Sequence, residues 1–230
     1  MKSFCIIGLG RFGRALAETL AAAKKEVLVI DSDEKNIESI ADSVDSAILG
    51  DCTEEAVLRA AGVADYDCVA LCISENANDS VMATIVLKEL GVKYLIARAA
   101  DERHARVLEK LGADRVVLPE SDIGRRVGLA LSHEGVQQYM EFSEDTAIVE
   151  MEVPARWVGK TLLELDVRKK MNINVITVCK KNVHKKGISV DPNSKFGAGD
   201  TVTVIGQKED IRRCWHIRGI ELCLISHNTV

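Results

Sequence analysis

Phe4-Cys5-Ile6-Ile7-Gly8-Leu9-Gly10-Arg11-Phe12-Gly13, with Asp31 eighteen residues after Gly13 at the end of Glu26-Val27-Leu28-Val29-Ile30, is the stretch that decides the fold of this chain. An apolar run, three glycines at fixed offsets, a helical stretch and a second apolar run ending in an acid describe a nucleotide-binding βαβ unit. Gly8 makes the tight turn out of the first strand, Gly10 lets the backbone approach a phosphate, and Gly13 lets the helix pack close to the sheet. Phosphate would sit on the N–H groups that open the helix from Arg11 to Ala23, where the macrodipole favours negative charge, with Arg11 reaching over it. Asp31 is placed to accept hydrogen bonds from a ribose 2′- and 3′-hydroxyl pair, and its charge repels a 2′-phosphate, which argues against NADP. Three glycines alone are weak evidence, since glycines also mark bare turns; the flanking strands and Asp31 weigh for a nucleotide.

Composition narrows the partners. The chain has 230 residues, 47% of them hydrophobic and 28% charged, which suits a soluble protein of one or two domains. A net charge of −5 argues against nucleic acid, whose phosphates demand clustered Lys and Arg. No apolar run approaches the roughly 18 residues of a membrane span, and Met1-Lys2-Ser3 leads into a strand rather than a signal peptide, so the expected location is the cytoplasm. Seven cysteines (5, 52, 68, 72, 179, 214, 223) form an odd, scattered set and read as buried, reduced thiols. Alternation along Cys68-Val69-Ala70-Leu71-Cys72 puts the two closest thiols on one sheet face, without the partners that zinc needs.

After Asp31 the β/α alternation continues. Helices are expected over 33–41, 53–61, 77–90 and 101–111, and strands over 46–49, 68–73, 94–97 and 115–118, with Thr53 as an N-cap and Gly62, Gly91 and Gly112 ending helices. This is a Rossmann-like, doubly wound parallel sheet over residues 1–118, whose ligand side is the carboxyl edge. The turns there carry Gly10, Arg11 and Phe12, then Asp31 and Ser32, then Asp51 and Cys52, then Ser74-Glu75-Asn76. Asp51 has two readings, contact with base or ribose and the opening of the next helix. Residues 119–145 read as linker or crossover helices, with one long helix over 120–140 whose Gly124 and Gly128 permit close approach by another helix. From 146 to 230 short strand signals (147–153, 173–179, 187–190, 201–205), punctuated by Pro154, Pro192 and Gly197-Ala198-Gly199-Asp200, give a small α+β domain.

Three stretches carry a family resemblance: Gly8-Leu9-Gly10-Arg11-Phe12-Gly13, Val107-Leu108-Glu109-Lys110-Leu111-Gly112-Ala113-Asp114-Arg115-Val116-Val117-Leu118-Pro119-Glu120, and Trp157-Val158-Gly159-Lys160-Thr161-Leu162-x-Glu164-Leu165-x-Val167-Arg168. They resemble the RCK proteins, the cytosolic gating subunits of Ktr- and Trk-type bacterial potassium uptake systems, over nearly the whole chain. The resemblance implies a non-enzymatic regulator that forms dimers assembling into a ring, an octamer, docks on the inner face of a membrane potassium-translocating subunit and switches it with ATP/ADP, NAD(H) being the alternative ligand. It also implies that Arg11 contacts phosphate, Asp31 the ribose, Arg98 the phosphates, and Glu120 a cation (Mg2+, Ca2+ or Na+) beside the γ-phosphate. In the second domain it implies a cyclic di-AMP site at Arg168 and Ile173-Asn174-Val175. The plain alternatives are a surface Arg, a helix-opening Glu and a turn Asn. Residues 214–230 depart from the family pattern.

A small NAD-dependent oxidoreductase is the competing class. It needs an acid or base near the nicotinamide, and the histidines (104, 133, 184, 216, 227) sit mostly on helical or tail segments without a supporting carboxylate. His104 is expected on the solvent side of its helix. A redox-sensing transcription factor would need a helix-turn-helix and a basic face, and the chain offers neither.

Overall fold

A computed structural model describes residues 1–73, 76–131, 135–143, 145–181 and 190–215. It divides into two compact units, Met1–Ser121 and Asp122–Val230.

The first unit runs β1 (Ser3–Ile7), α1 (Arg11–Ala22), β2 (Glu26–Asp31), α2 (Glu34–Glu38), β3 (Ser46–Leu49), α3 (Glu55–Ala60), β4 (Cys68–Leu71), α4 (Ala77–Glu89), β5 (Leu95–Arg98), α5 (Glu102–Lys110) and β6 (Arg115–Val117). The six strands are parallel in the order β3-β2-β1-β4-β5-β6. The order reverses between β1 and β4, which makes that crevice the switch point of the sheet. Strands covered on both faces read as continuous apolar runs, and β1, β2 and β4 do so. Cys5, Ile7, Leu28, Ile30, Val69 and Leu71 face Leu58 of α3 and Ala83 and Leu87 of α4. Ile6, Val27, Val29, Ala70 and Cys72 face Ala17 and Leu16 of α1. Cys68 and Cys72 do share a sheet face, since each is an even step from Ala70. Gly62, Gly91 and Gly112 follow their helices with φ of +66°, +82° and +97°, where a side chain is strained.

Two local expectations fail here. Thr53 does not cap α3; Glu54 holds that position without a side-chain bond, because both the N–H and the hydroxyl of Thr53 are spent on Asp51 Oδ1, each at 2.8 Å. His104 does not face solvent. Its Nδ1 accepts from the Ala100 N–H at 3.2 Å and its Nε2 lies 2.9 Å from Ser80 Oγ, so it bridges α5 to α4. Ser80 Oγ donates to the Ala77 carbonyl, which leaves Nε2–H as the donor to Ser80.

The helix α6 (Pro119–Leu131) leads into the second unit, which continues with β7 (Val136–Glu141), β8 (Thr146–Glu152), α7 (Leu162–Leu165), α8 (Val167–Met171), β9 (Ile173–Cys179), β10 (Thr201–Gln207) and α9 (Lys208–Trp215). The single helix expected over 120–140 is therefore corrected: its second half contains the edge strand β7. Gly135 takes φ +84°, which a helix cannot continue through, and a register shift between Val136 and Gln138 hides the strand's alternation. The sheet is antiparallel in the order β7-β8-β10-β9. Its core gathers on Trp157, fully buried with its ring centroid 5.5 Å from that of Phe196, together with Val149, Val202, Val204 and Ile211. Burying one such side chain contributes about 2–3 kcal/mol. Thr161 and Glu164 form a reciprocal capping box on α7, at 3.2 and 2.8 Å. Most of the strand expected over 187–190 lies outside the described residues.

Candidate functional site

The parallel register brings the ends of β1, β2 and β4 to one edge: Ile7 pairs with Ile30 and with Leu71, so Gly8, Asp31 and Cys72 emerge side by side. Gly8 turns there with φ +91°, and its N–H donates to the Ile30 carbonyl at 2.8 Å. Gly13 is a packing glycine. A Cβ on it would lie 1.9 Å from the Gly8 carbonyl oxygen and 3.0 Å from Cys72 Cβ, so α1 can seat against the loop only without one. Gly10 differs from both. It is the N-cap of α1 with φ −60°, a value any residue adopts, and a Cβ on it would meet nothing within 4 Å. Neither backbone strain nor contact within the chain requires a glycine at position 10, whereas a ligand approaching the open N–H groups of α1 does. No side chain caps that end of α1.

Asp31 stands beside the loop, half-buried. Its Oδ2 accepts from the Leu9 N–H at 2.5 Å and its Oδ1 from the Asp33 N–H at 2.8 Å and Asn36 Nδ2 at 3.2 Å. A carboxylate has about four acceptor positions, so one remains, on Oδ2. Arg11 and Ser32 are exposed, and Phe12 is partly buried against the α1 face of the sheet. Asp51 is exposed, and its bonds from the N–H and hydroxyl of Thr53 hold its carboxyl below the usual range. Cys52 is half-buried, and burial followed by the charge of Asp51 pushes its thiol up to about 11. Ser74 lies outside the described residues.

Arg98 ends β5. Its side chain is only 12% exposed, it pairs with the 68% exposed Glu120 at the start of α6, and its buried Nε has no hydrogen-bond partner. An unmet buried donor on a charged group is costly. Leu71 pairs with Ala97, so Arg98 leaves β5 beside Cys72, the residue under Gly8 and Gly13; burial pushes the Cys72 thiol up to about 12, and the Arg98 charge pulls against that shift. Glycine loop, Asp31, Arg98 and Glu120 thus share one end of the first unit, although sequence reasoning set Arg98 and Glu120 in separate roles. It missed Asn36, Arg14 and Ser39 altogether.

The residues singled out in the second unit lie on α8 and the start of β9 and differ in exposure. Arg168 is exposed on α8, Asn174 is exposed and Val175 half-buried on the edge strand β9, and the Ile173 side chain is fully buried against Gly206. No group of metal-binding side chains occurs among the described residues, and none of their helices is long and apolar enough to cross a membrane. The cysteines among them are free, and Cys5, Cys68 and Cys72 have thiols pushed up, in the first place by burial.

Comparison with known proteins agrees with this architecture. The TrkA-N domain family matches residues 4–119 and the TrkA-C domain family residues 147–214. The Ktr system potassium uptake protein C of Bacillus subtilis is 36% identical over 214 residues, covering 92% of this chain and 95% of its own length. Among solved structures, the GsuK RCK domain superposes with a TM-score of 0.67 at 19% identity, over 94% of this chain and 47% of its own. The GsuK channel bound to NAD superposes with a TM-score of 0.67 at 18% identity, over 94% of this chain and 39% of its own. The chain, a Rossmann-like TrkA-N domain followed by a small TrkA-C domain, belongs to the RCK-type family of Ktr potassium uptake proteins.

Proposed function

We propose that this protein is a cytosolic nucleotide-sensing subunit that gates a membrane potassium transporter and catalyses no reaction. The observation that carries the nucleotide part is Gly10, a glycine that the chain's own packing does not require, at the uncapped end of α1 and beside an acceptor-bearing Asp31. Among the solved structures of like fold is the GsuK channel bound to NAD. The potassium part is supported by likeness to Ktr potassium uptake proteins.

In this reading phosphates lie on the N–H groups of α1 under Arg11, and the ribose meets Asp31. ATP and ADP differ by one phosphate, and only a contact made by one ligand and not the other shifts a two-state assembly. Arg98 and Glu120 are the side chains placed to make that contact. A phosphate drawing Arg98 inward frees Glu120, and a cation beside the γ-phosphate gives Glu120 a new partner. The assembly is a ring of dimers docked on the translocating subunit at the inner membrane face, and cyclic di-AMP bound near Arg168 and Asn174 is a second input. NAD(H) is the competing ligand for the first site.

Calorimetric titration of the purified protein with ATP, ADP and NADH, alongside potassium flux through the reconstituted transporter, tests the proposal. ATP and ADP should compete for one site per chain, and flux should be higher with ATP. Absence of nucleotide binding, or equal flux with both nucleotides, overturns it.

A further inference from the structure

We infer that Asn36 is a positioning residue that commits one oxygen of the Asp31 carboxylate, so that the site reads one ribose hydroxyl and not the pair. This rests on the nucleotide reading above.

An acid at the end of β2 with both oxygens free would chelate the two hydroxyls of a ribose. Here the carboxylate is not free. Oδ1 receives the Asp33 N–H at 2.8 Å and Asn36 Nδ2 at 3.2 Å, which occupies both of its lone pairs. Oδ2 receives only the Leu9 N–H of the glycine loop, at 2.5 Å, and keeps one lone pair. The Asn36 amide can meet a carboxylate only through its NH2 end, so its orientation is settled by its partner.

Asn36 is itself held from behind. The Arg14 guanidinium donates to the main-chain carbonyl of Asn36 at 3.4 Å and to Ser39 Oγ, and the Ser39 hydroxyl donates to the same main-chain carbonyl at 2.8 Å. Arg14 also lies 3.7 Å from Glu18. Two side chains thus tie α1 to α2 at the point from which Asn36 reaches Asp31. That brace fixes the backbone from which the Asn36 amide extends, and the bonds from Leu9, Asp33 and Asn36 keep the carboxylate from rotating about its terminal bond, which is otherwise a soft torsion.

The test uses the full chain and three probes, ADP, 2′-deoxy-ADP and 3′-deoxy-ADP, titrated calorimetrically. In the wild type, loss of one hydroxyl should weaken binding by about tenfold and loss of the other by less than about threefold, since one charge-assisted hydrogen bond is at stake. In Asn36→Ala the freed Oδ1 takes up the second hydroxyl, and the two penalties should converge to within about threefold. Asn36→Ser, whose side chain is too short to reach Asp31, should behave alike, and thermal unfolding checks that each variant is folded. A residue that merely stabilised α2 would weaken all three probes by one factor and leave the gap unchanged. Equal penalties in the wild type, or a gap that persists in a folded variant, overturn the inference. Failure of the wild type to bind ADP at all breaks the nucleotide reading instead.

Discussion

Asp31 and Asp200 are both carboxylates gripped by backbone N–H groups, one in each unit, and they differ in what is left over. Asp200 closes the turn before β10. It is 4% exposed and accepts from the N–H groups of Gly197 at 2.7 Å and Lys181 at 3.2 Å and from Lys180 Nζ at 2.9 Å. Asp31 accepts three hydrogen bonds as well, but no cation among the described residues pairs with it, and it borders the open space in front of Gly10. A carboxylate with a cation and almost no exposure holds a fold together; one with a spare lone pair beside an open helix end is available to a ligand. The grip is similar, and the surroundings separate structure from recognition.

The largest effect should come from the closed site. Asp200→Ala strands two N–H donors in a buried turn and should destabilise the second unit by about 3 kcal/mol, read by denaturant unfolding, with nucleotide affinity unchanged. The same residue carries a pH signature. Burial pushes its carboxyl up, but Lys180 and the two N–H groups outweigh burial and hold it below 3.8. A depressed folded value means that the stabilisation is present in full above the ordinary carboxylate pKa and is lost as pH falls through the lower folded one. Acid unfolding of Asp200→Asn should therefore lack that component, and a wild-type acid curve superimposable on the variant's would break the comparison from this side.

Asp31→Ala should weaken nucleotide binding by about 100-fold, the loss of a charge-assisted hydrogen bond together with the ordering of the Leu9 loop. Unchanged affinity in a calorimetric titration would place Asp31 with Asp200 as a structural acid. Gly10→Ala is the smallest and sharpest change. Its Cβ meets nothing within 4 Å, so unfolding should stay within about 0.5 kcal/mol of wild type while affinity falls about tenfold. Loss of stability without loss of affinity would mean that Gly10 serves the loop and not a ligand.

Much of the first unit was legible along the chain because parallel strands, buried on both faces, read as unbroken apolar runs between helices. β3 and β9 fall where the sequence puts them, at Ser46–Leu49 and Ile173–Cys179. β7 was not legible: its register shift removes the period of two on which strand reading depends. Thr53 was misread for a different reason, since its hydroxyl had two suitors, the α3 N–H groups and Asp51, and local spacing does not rank them. In the candidate site, Gly8, Gly10, Gly13 and Asp31 were visible because the nucleotide-binding turn is a local motif. Arg14 and Ser39 were not, because they meet across 25 positions, and Asn36, five positions from Asp31, was not, because nothing in its spacing tells a side chain turned to the carboxylate from one on the open face of α2.

The sequence by itself determined the βαβ opening and the parallel sheet that extends it, which follow from short-range spacing of apolar residues, glycines and caps, and its three motif stretches carry the resemblance to the family that comparison shows. Only the tertiary structure decided that Arg98 pairs with Glu120, that His104 turns inward to Ser80, and that a single oxygen of Asp31 keeps a lone pair. The first two join residues more than twenty positions apart, and the third needs the Leu9 N–H from 22 positions away as well as the nearby Asp33 and Asn36; such pairs depend on how strands align and helices seat, which no local window contains.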